Sequence, residues 1–165
     1  MSENILFDNL PPPKSAKKKR EPDNKLFEGK ITVHTDGGSR GNPGPAAIGV
    51  TLGSREYGEY IGTKTNNQAE YLAVVFAFKK LKQMLGKKKT KETEVEFKLD
   101  SELVVKQLNG KYKILESELQ PLFLEIWNAR LDFKKVTFEH VRREENKAAD
   151  ALVNKVLDHE ARAWQ

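Results

Sequence analysis

Four acids, Asp36, Glu70, Asp100 and Asp150, are the residues of this sequence whose types and settings are best suited to chemistry. The chain has no cysteine and three histidines. Disulfides, thiolate metal sites, thiol nucleophiles and iron–sulfur clusters are therefore excluded, and carboxylates, imidazoles and hydroxyls remain. Each acid also has an ordinary explanation. Asp36 precedes Gly37-Gly38 and suits a turn, Glu70 complements the positive end of a helix, Asp100 could cap a helix beginning at Ser101, and Asp150 could be a surface acid. Asp36 resists the ordinary account, because it sits on an alternating apolar strand where an unpaired buried charge costs several kcal/mol. Carboxylates gathered at one place repel one another and hold their protons unless a divalent cation neutralises them. With oxygen ligands alone, that cation would be magnesium or manganese.

These acids need elements to carry them. From Lys30, the residues Ile31, Val33 and Thr35 alternate with Thr32, His34 and Asp36, a period-two strand that Asp36 is expected to close. The glycine- and proline-rich run after it turns the chain, and strands are expected over 48–52 and 56–62, completing an antiparallel meander. Asn66 and Asn67 are expected to cap a helix reaching Gly86, followed by a basic loop from Lys87 to Lys91. Val95, Phe97 and Leu99 alternate into Asp100, and a short helix ends near Gly110. A long amphipathic helix over 115–133, a strand over 136–141 and a final helix over 144–164 complete the order. The prediction is an α/β fold: a five-stranded mixed sheet, three antiparallel strands and then two more, flanked by helices. The run Gly37 to Gly49 is neither a P-loop nor a dinucleotide fingerprint, lacking Gly-Lys-Ser/Thr and any GxGxxG register. Gly41-Asn42-Pro43-Gly44 has the bare GxxG of a KH module, and a hairpin turn is the plainer alternative.

With 165 residues, 38% of them hydrophobic and 32% charged, the chain suits one folded domain and a tail. Residues 1–29 are expected to be a disordered tail, with prolines at 11–13 and a basic cluster of Lys14, Lys17, Lys18, Lys19 and Arg20; residues 30–165 are expected to be the folded domain. The cluster is either a solubilising extension or a tether for phosphates. No apolar run is long enough to span a membrane, and the first residues lack the order of a secretory signal, so a cytoplasmic protein is expected; a monomer is the expected state. The net charge of +5 draws weakly toward polyanions and excludes nothing.

Four blocks carry a closer likeness: TDGGSRGNPGPAAIG at Thr35 to Gly49, TNNQAEY at Thr65 to Tyr71, LDSELVVKQLNG at Leu99 to Gly110 and REENKAADALVNKVL at Arg143 to Leu157. In order and spacing they resemble the signature blocks of type 1 ribonuclease H, in the bacterial and archaeal branch lacking a basic protrusion. The resemblance implies a ribonuclease H fold and endonucleolytic cleavage of the RNA strand of RNA–DNA hybrids, leaving 5′-phosphate and 3′-hydroxyl ends. It implies that Asp36, Glu70, Asp100 and Asp150 hold two magnesium ions, with manganese a possible substitute. The implied substrate contacts are Gly37, Asn42, Thr65, Asn66, Asn67 and Ser101, with Thr65 on a DNA phosphate.

The sequence departs from the family's pattern in three places. The loop carrying an assisting histidine in many members is reduced to Arg142–Lys147, and His140, inside the run Val136, Phe138, His140, is expected to face out of a strand rather than assist catalysis. Only Lys111, Tyr112 and Lys113 stand where the protrusion would be. The extension before Lys30 is too short for a separate hybrid-binding domain. Two rival functions follow: a hybrid-binding module of the same fold without turnover, and a reverse-transcriptase or integrase-like relative. Retention of all four acids argues against the first, and the absence of a polymerase segment in 165 residues against the second.

Overall fold

The structure, a computed structural model, describes residues 29–164; the predicted tail, apart from Gly29, lies outside the described residues. Strands β1 (Lys30–Ser39), β2 (Gly44–Leu52) and β3 (Arg55–Lys64) form an antiparallel meander. Strands β4 (Glu94–Leu99) and β5 (Lys135–His140) lie parallel to β1 on its other side, giving the order β3-β2-β1-β4-β5. The expected five-stranded mixed sheet is the one observed. Among the described residues four α-helices join it: α1 (Asn66–Glu92), α2 (Glu102–Leu108), α3 (Gln120–Arg130) and α4 (Lys147–Ala163).

Alternation sorts the sheet into two faces. A Cβ on Gly37 would strike the backbone of Ala69 and Glu70 in α1, whereas one on Gly38 would meet Val153 in α4. Successive strand residues point to opposite faces, so α1 and α4 cover opposite sides of β1. The α1 face holds the main core, where Ile31 and Val33 of β1 join Val50, Phe78 and Phe97. Phe78 and Phe97 have ring centroids 4.7 Å apart, and Phe97 stacks on Phe138 at 5.3 Å. The α4 face is thin, built on Ala47, Val153 and Leu157. Here Gly49 of β2 lets the carbonyl of Ala149 sit where a Cβ would be, which brings α4 against the sheet.

The structure corrects five expectations. Asp36 does not close its strand: Gly37 and Gly38 continue the ladder opposite Ile48 and Ala47, and the chain turns only after Ser39. Thr65, rather than Asn66 or Asn67, caps α1, its hydroxyl accepting from the Gln68 N–H while the Gln68 side chain accepts from the Thr65 N–H. Gly86 kinks the helix instead of stopping it. Its φ is +74°, and the lysines beyond it form a further turn to Glu92, fastened by Thr90 donating to the Gly86 carbonyl at 2.7 Å. The predicted helix over 115–133 is only Gln120–Arg130, because Pro121 fits the first turn of a helix and no later position. The final helix is preceded by a 3₁₀ turn, Arg143–Asn146.

Candidate active site

The parallel register of β1 with β4 ends at His34 opposite Lys98. Two residues further along each strand direction stand Asp36 and Asp100, side by side where the strands part. Crevices at the carboxyl ends of parallel strands are where ligands collect in such sheets. Glu70 enters from the second turn of α1, held close because Gly37 has no side chain to keep that helix away. Carboxylate oxygens of Asp36, Glu70 and Asp100 all lie within 4.8 Å of one another. Asp150, in the first turn of α4, lines the same cleft but is not part of that tight triad.

Asp36 and Glu70 are buried, at 6% and 8% exposure. Burial pushes the Asp36 carboxyl up to about 7, helped by the charges of Asp100 and Asp150 and opposed by hydrogen bonds from Glu70 and the Gly37 N–H. Glu70 is raised well above the usual carboxylate range, first by burial and then by Asp36 and Asp100. Asp100, half-buried, is also raised by burial, with Arg143 pulling it back. Glu70 Oε2 is buried without a hydrogen-bond partner. A set of converging, desolvated carboxylates with one oxygen unsatisfied has the donor chemistry that a hard divalent cation requires. The residues present therefore fit such an ion.

The cleft, about 480 Å³, is lined by the four acids with Gly37, Ser39, Arg40, Asn66, Asn67, Ser101 and Arg143 among others. Asn42 and Thr65 lie outside its lining. Asn42 Oδ1 accepts from the Asn66 N–H at 3.0 Å, and Asn66 Oδ1 accepts from the Ser39 N–H at 2.9 Å, so the two amides pin the β1–β2 turn to the start of α1. Thr65 is committed to its capping box, Asn67 Nδ2 donates to Glu116 at 3.2 Å, and Ser101 caps α2 by accepting from the Val104 N–H. His140 is exposed at the end of β5, with Nε2 3.2 Å from the Asp100 carbonyl oxygen, and does not line the cleft.

Sequence reasoning missed Arg143 and Asn146. Arg143 lines the cleft, and its charge acts on Asp100. Asn146 is 1% exposed and binds the backbone of β1 at Thr35. Both lie in the block Arg143 to Leu157, and the available signal was two polar side chains flanking a carboxylate helix start.

A mixed sheet of this order with an acidic cleft between β1, β4 and two helix starts defines a ribonuclease H-like protein. The model of a family described as reverse transcriptase-like matches residues 34–156. The ribonuclease HI of Halobacterium salinarum is 37% identical over 136 residues, covering 79% of this chain and 65% of that protein. A bifunctional protein of Mycobacterium tuberculosis is 32% identical over 141 residues, 81% of this chain but 37% of its own length. The chain thus spans little more than a third of that relative. LC11-RNase H1, isolated from compost and solved in complex with an RNA/DNA hybrid, superimposes with a TM-score of 0.75 at 41% identity, covering 79% of this chain and 99% of that one. The chain belongs to the ribonuclease HI family.

Proposed function

We propose that residues 30–165 form an endonuclease that hydrolyses the RNA strand of RNA–DNA hybrids, leaving 5′-phosphate and 3′-hydroxyl ends. The observation that carries the reading is the triad of Asp36, Glu70 and Asp100 oxygens within 4.8 Å, with Glu70 Oε2 buried and unpaired. The hybrid bound by the similar LC11-RNase H1 supports the substrate class. Asp36, Glu70, Asp100 and Asp150 would hold two magnesium ions, or manganese in their place. When bound, these cations neutralise charge on the phosphate and lower the pKa of water. In the reaction water adds to phosphorus, the bond to the 3′-oxygen breaks, and that oxygen leaves as the alcohol after taking a proton.

The protein's own groups orient this exchange. The carboxylates are fixed by two strands and two helix starts, so they need little rearrangement to act together. Arg143 offers charge-assisted hydrogen bonds to backbone phosphates at the cleft, and Arg40, paired there with Asp158, can do so with its remaining N–H groups. The amides of Asn66 and Asn67 can donate to or accept from a ribose 2′-hydroxyl, the group that separates RNA from DNA. Among the described residues no helix is long and apolar enough to cross a membrane. We place the protein in the cytoplasm, as a monomer. The test is incubation of labelled hybrid, duplex RNA and duplex DNA with magnesium, manganese or EDTA. Cutting confined to the RNA of the hybrid and abolished by EDTA is expected. Cleavage of duplex DNA, or cleavage in EDTA, overturns the reading, and tight hybrid binding without turnover would favour a binding module.

A further inference from the structure

Asn146 occupies the position before α4, where asparagine ordinarily accepts from an N–H in the first turn of its own helix. It makes no such cap. Its Nδ2 instead donates to the carbonyl of Thr35 at 2.9 Å, a contact between residues 111 positions apart. The same side chain also favours the charged form of Asp100, against the rise that burial causes. Thr35 immediately precedes Asp36, and Asp150 follows Asn146 by four residues, about one helical turn. One buried side chain therefore ties β1 next to Asp36 to the start of the helix that carries Asp150, and its influence extends to Asp100 at the end of β4.

The chemistry suits an amide. A single NH₂ presents two donors in one plane, and the Thr35 carbonyl takes one of them. Aspartate there would add a fifth negative charge to a crowded site, and an apolar residue would leave the Thr35 carbonyl without this partner. The Oδ1 of Asn146 is itself unpartnered. The residue is thus not kept for complete satisfaction of its own polar atoms; its donors are what the surroundings use.

The geometry points to Asn146 as a positioning residue that sets the spacing of Asp36, Asp100 and Asp150 for a divalent cation. This rests on the metal-centre reading above. Partners that orient carboxylate ligands typically change metal affinity or activity by ~10–100-fold when removed.

The test uses Asn146→Ser and Asn146→Ala in the full chain. Calorimetric titration with manganese alone is followed by kcat and KM on hybrid at saturating metal, with melting in EDTA as the folding control. Manganese binding is expected to weaken by ~10-fold or more, while KM for hybrid moves less than ~3-fold and excess manganese restores most of kcat. A purely structural role would lower the melting temperature without this rescue. Should the alanine variant not fold, the serine variant carries the test, since its hydroxyl can supply the α4 cap that Asn146 does not make. A folded variant that binds manganese within ~3-fold of the parent overturns the proposal, as does a loss confined to KM. If the parent itself binds no manganese, or Asp36→Asn binds it equally well, the metal centre is refuted instead, so the two failures are distinguishable.

Discussion

At the scale of the residue, crowding of negative charge explains both what the site can hold and what it costs the fold. Asp36, ordinarily near 3.8, titrates at about 7 in the metal-free protein, and Glu70 shifts in the same direction. Between about pH 4 and 7 the native state keeps a proton that the unfolded chain has released, so these groups make stability fall as pH rises through that window. In EDTA the melting temperature is expected to be lower at pH 8 than at pH 5, a difference that narrows in Asp36→Asn. That variant should also lose at least ~10³-fold in turnover, because an amide cannot supply the anionic ligand that the cations require, while its melting temperature in EDTA holds or rises. Near-normal turnover in a folded Asp36→Asn protein would remove Asp36 from the site. His140 tests the opposite case. Its ring nitrogen meets the backbone carbonyl of Asp100 and the residue lies outside the cleft lining, so His140→Ala should cost less than ~10-fold, against the ~10²–10⁴-fold expected of a general acid or base.

At the scale of the element, the site depends on how closely two helices approach a strand. Gly37 of β1 and the start of α1 are so close that a methyl group on Gly37 would overlap the backbone of Ala69 and Glu70. Gly37→Ala is expected to destabilise by ~3 kcal/mol, the upper end of overpacking, and to displace Glu70. Chemical denaturation measures the first effect, and loss of manganese affinity in any protein that remains folded measures the second. A variant with the parent's stability and metal affinity would show that α1 can retreat without consequence. This approach also explains which parts of the fold were legible. Period-two alternation in Ile31, Val33, Thr35 and in Val95, Phe97, Leu99 exposed the strands, because one face of each is buried. Gly37-Gly38 misled because composition suggests a turn, whereas here the glycines make room for α1 on one side and α4 on the other. Gly86 misled likewise: its positive φ permits a kink, and the buried Thr90 beyond it fastens a turn that no local pattern announces. Asn146 was hidden for a related reason. Its partner lies 111 residues away, and no periodicity reports a contact of that range.

At the scale of the whole molecule, the cleft and the root of the tail lie at different ends of β1. Gly29 joins the sheet beside Glu94, its carbonyl accepting from the Glu94 N–H at 3.1 Å, and Asp36 stands seven residues further on. At about 3.3 Å per strand residue the carboxylates are ~20 Å from that root. The basic cluster Lys14 to Arg20 lies roughly a dozen residues before Gly29. A coil of about a dozen residues has an r.m.s. span of ~20 Å, so if the segment has the coil character its composition suggests, its cations reach phosphates bordering the cleft. Such a tether contributes counterion release but cannot hold a phosphate within the tolerance that displacement at phosphorus demands. Deleting residues 1–29 is therefore expected to raise KM for hybrid and leave kcat unchanged. It should also flatten the salt dependence of binding, by up to about 4.5 in the log–log slope if all five cations of the cluster sit on phosphates, at ~0.9 each. Steady-state kinetics and binding isotherms at several salt concentrations read all three quantities. An unchanged KM with the full-length salt slope would make the segment a solvated extension. A fall in kcat would instead indicate that Ile5, Leu6, Phe7 or Leu10 packs on the catalytic domain, since loss of a phosphate tether alone leaves the positioned carboxylates untouched.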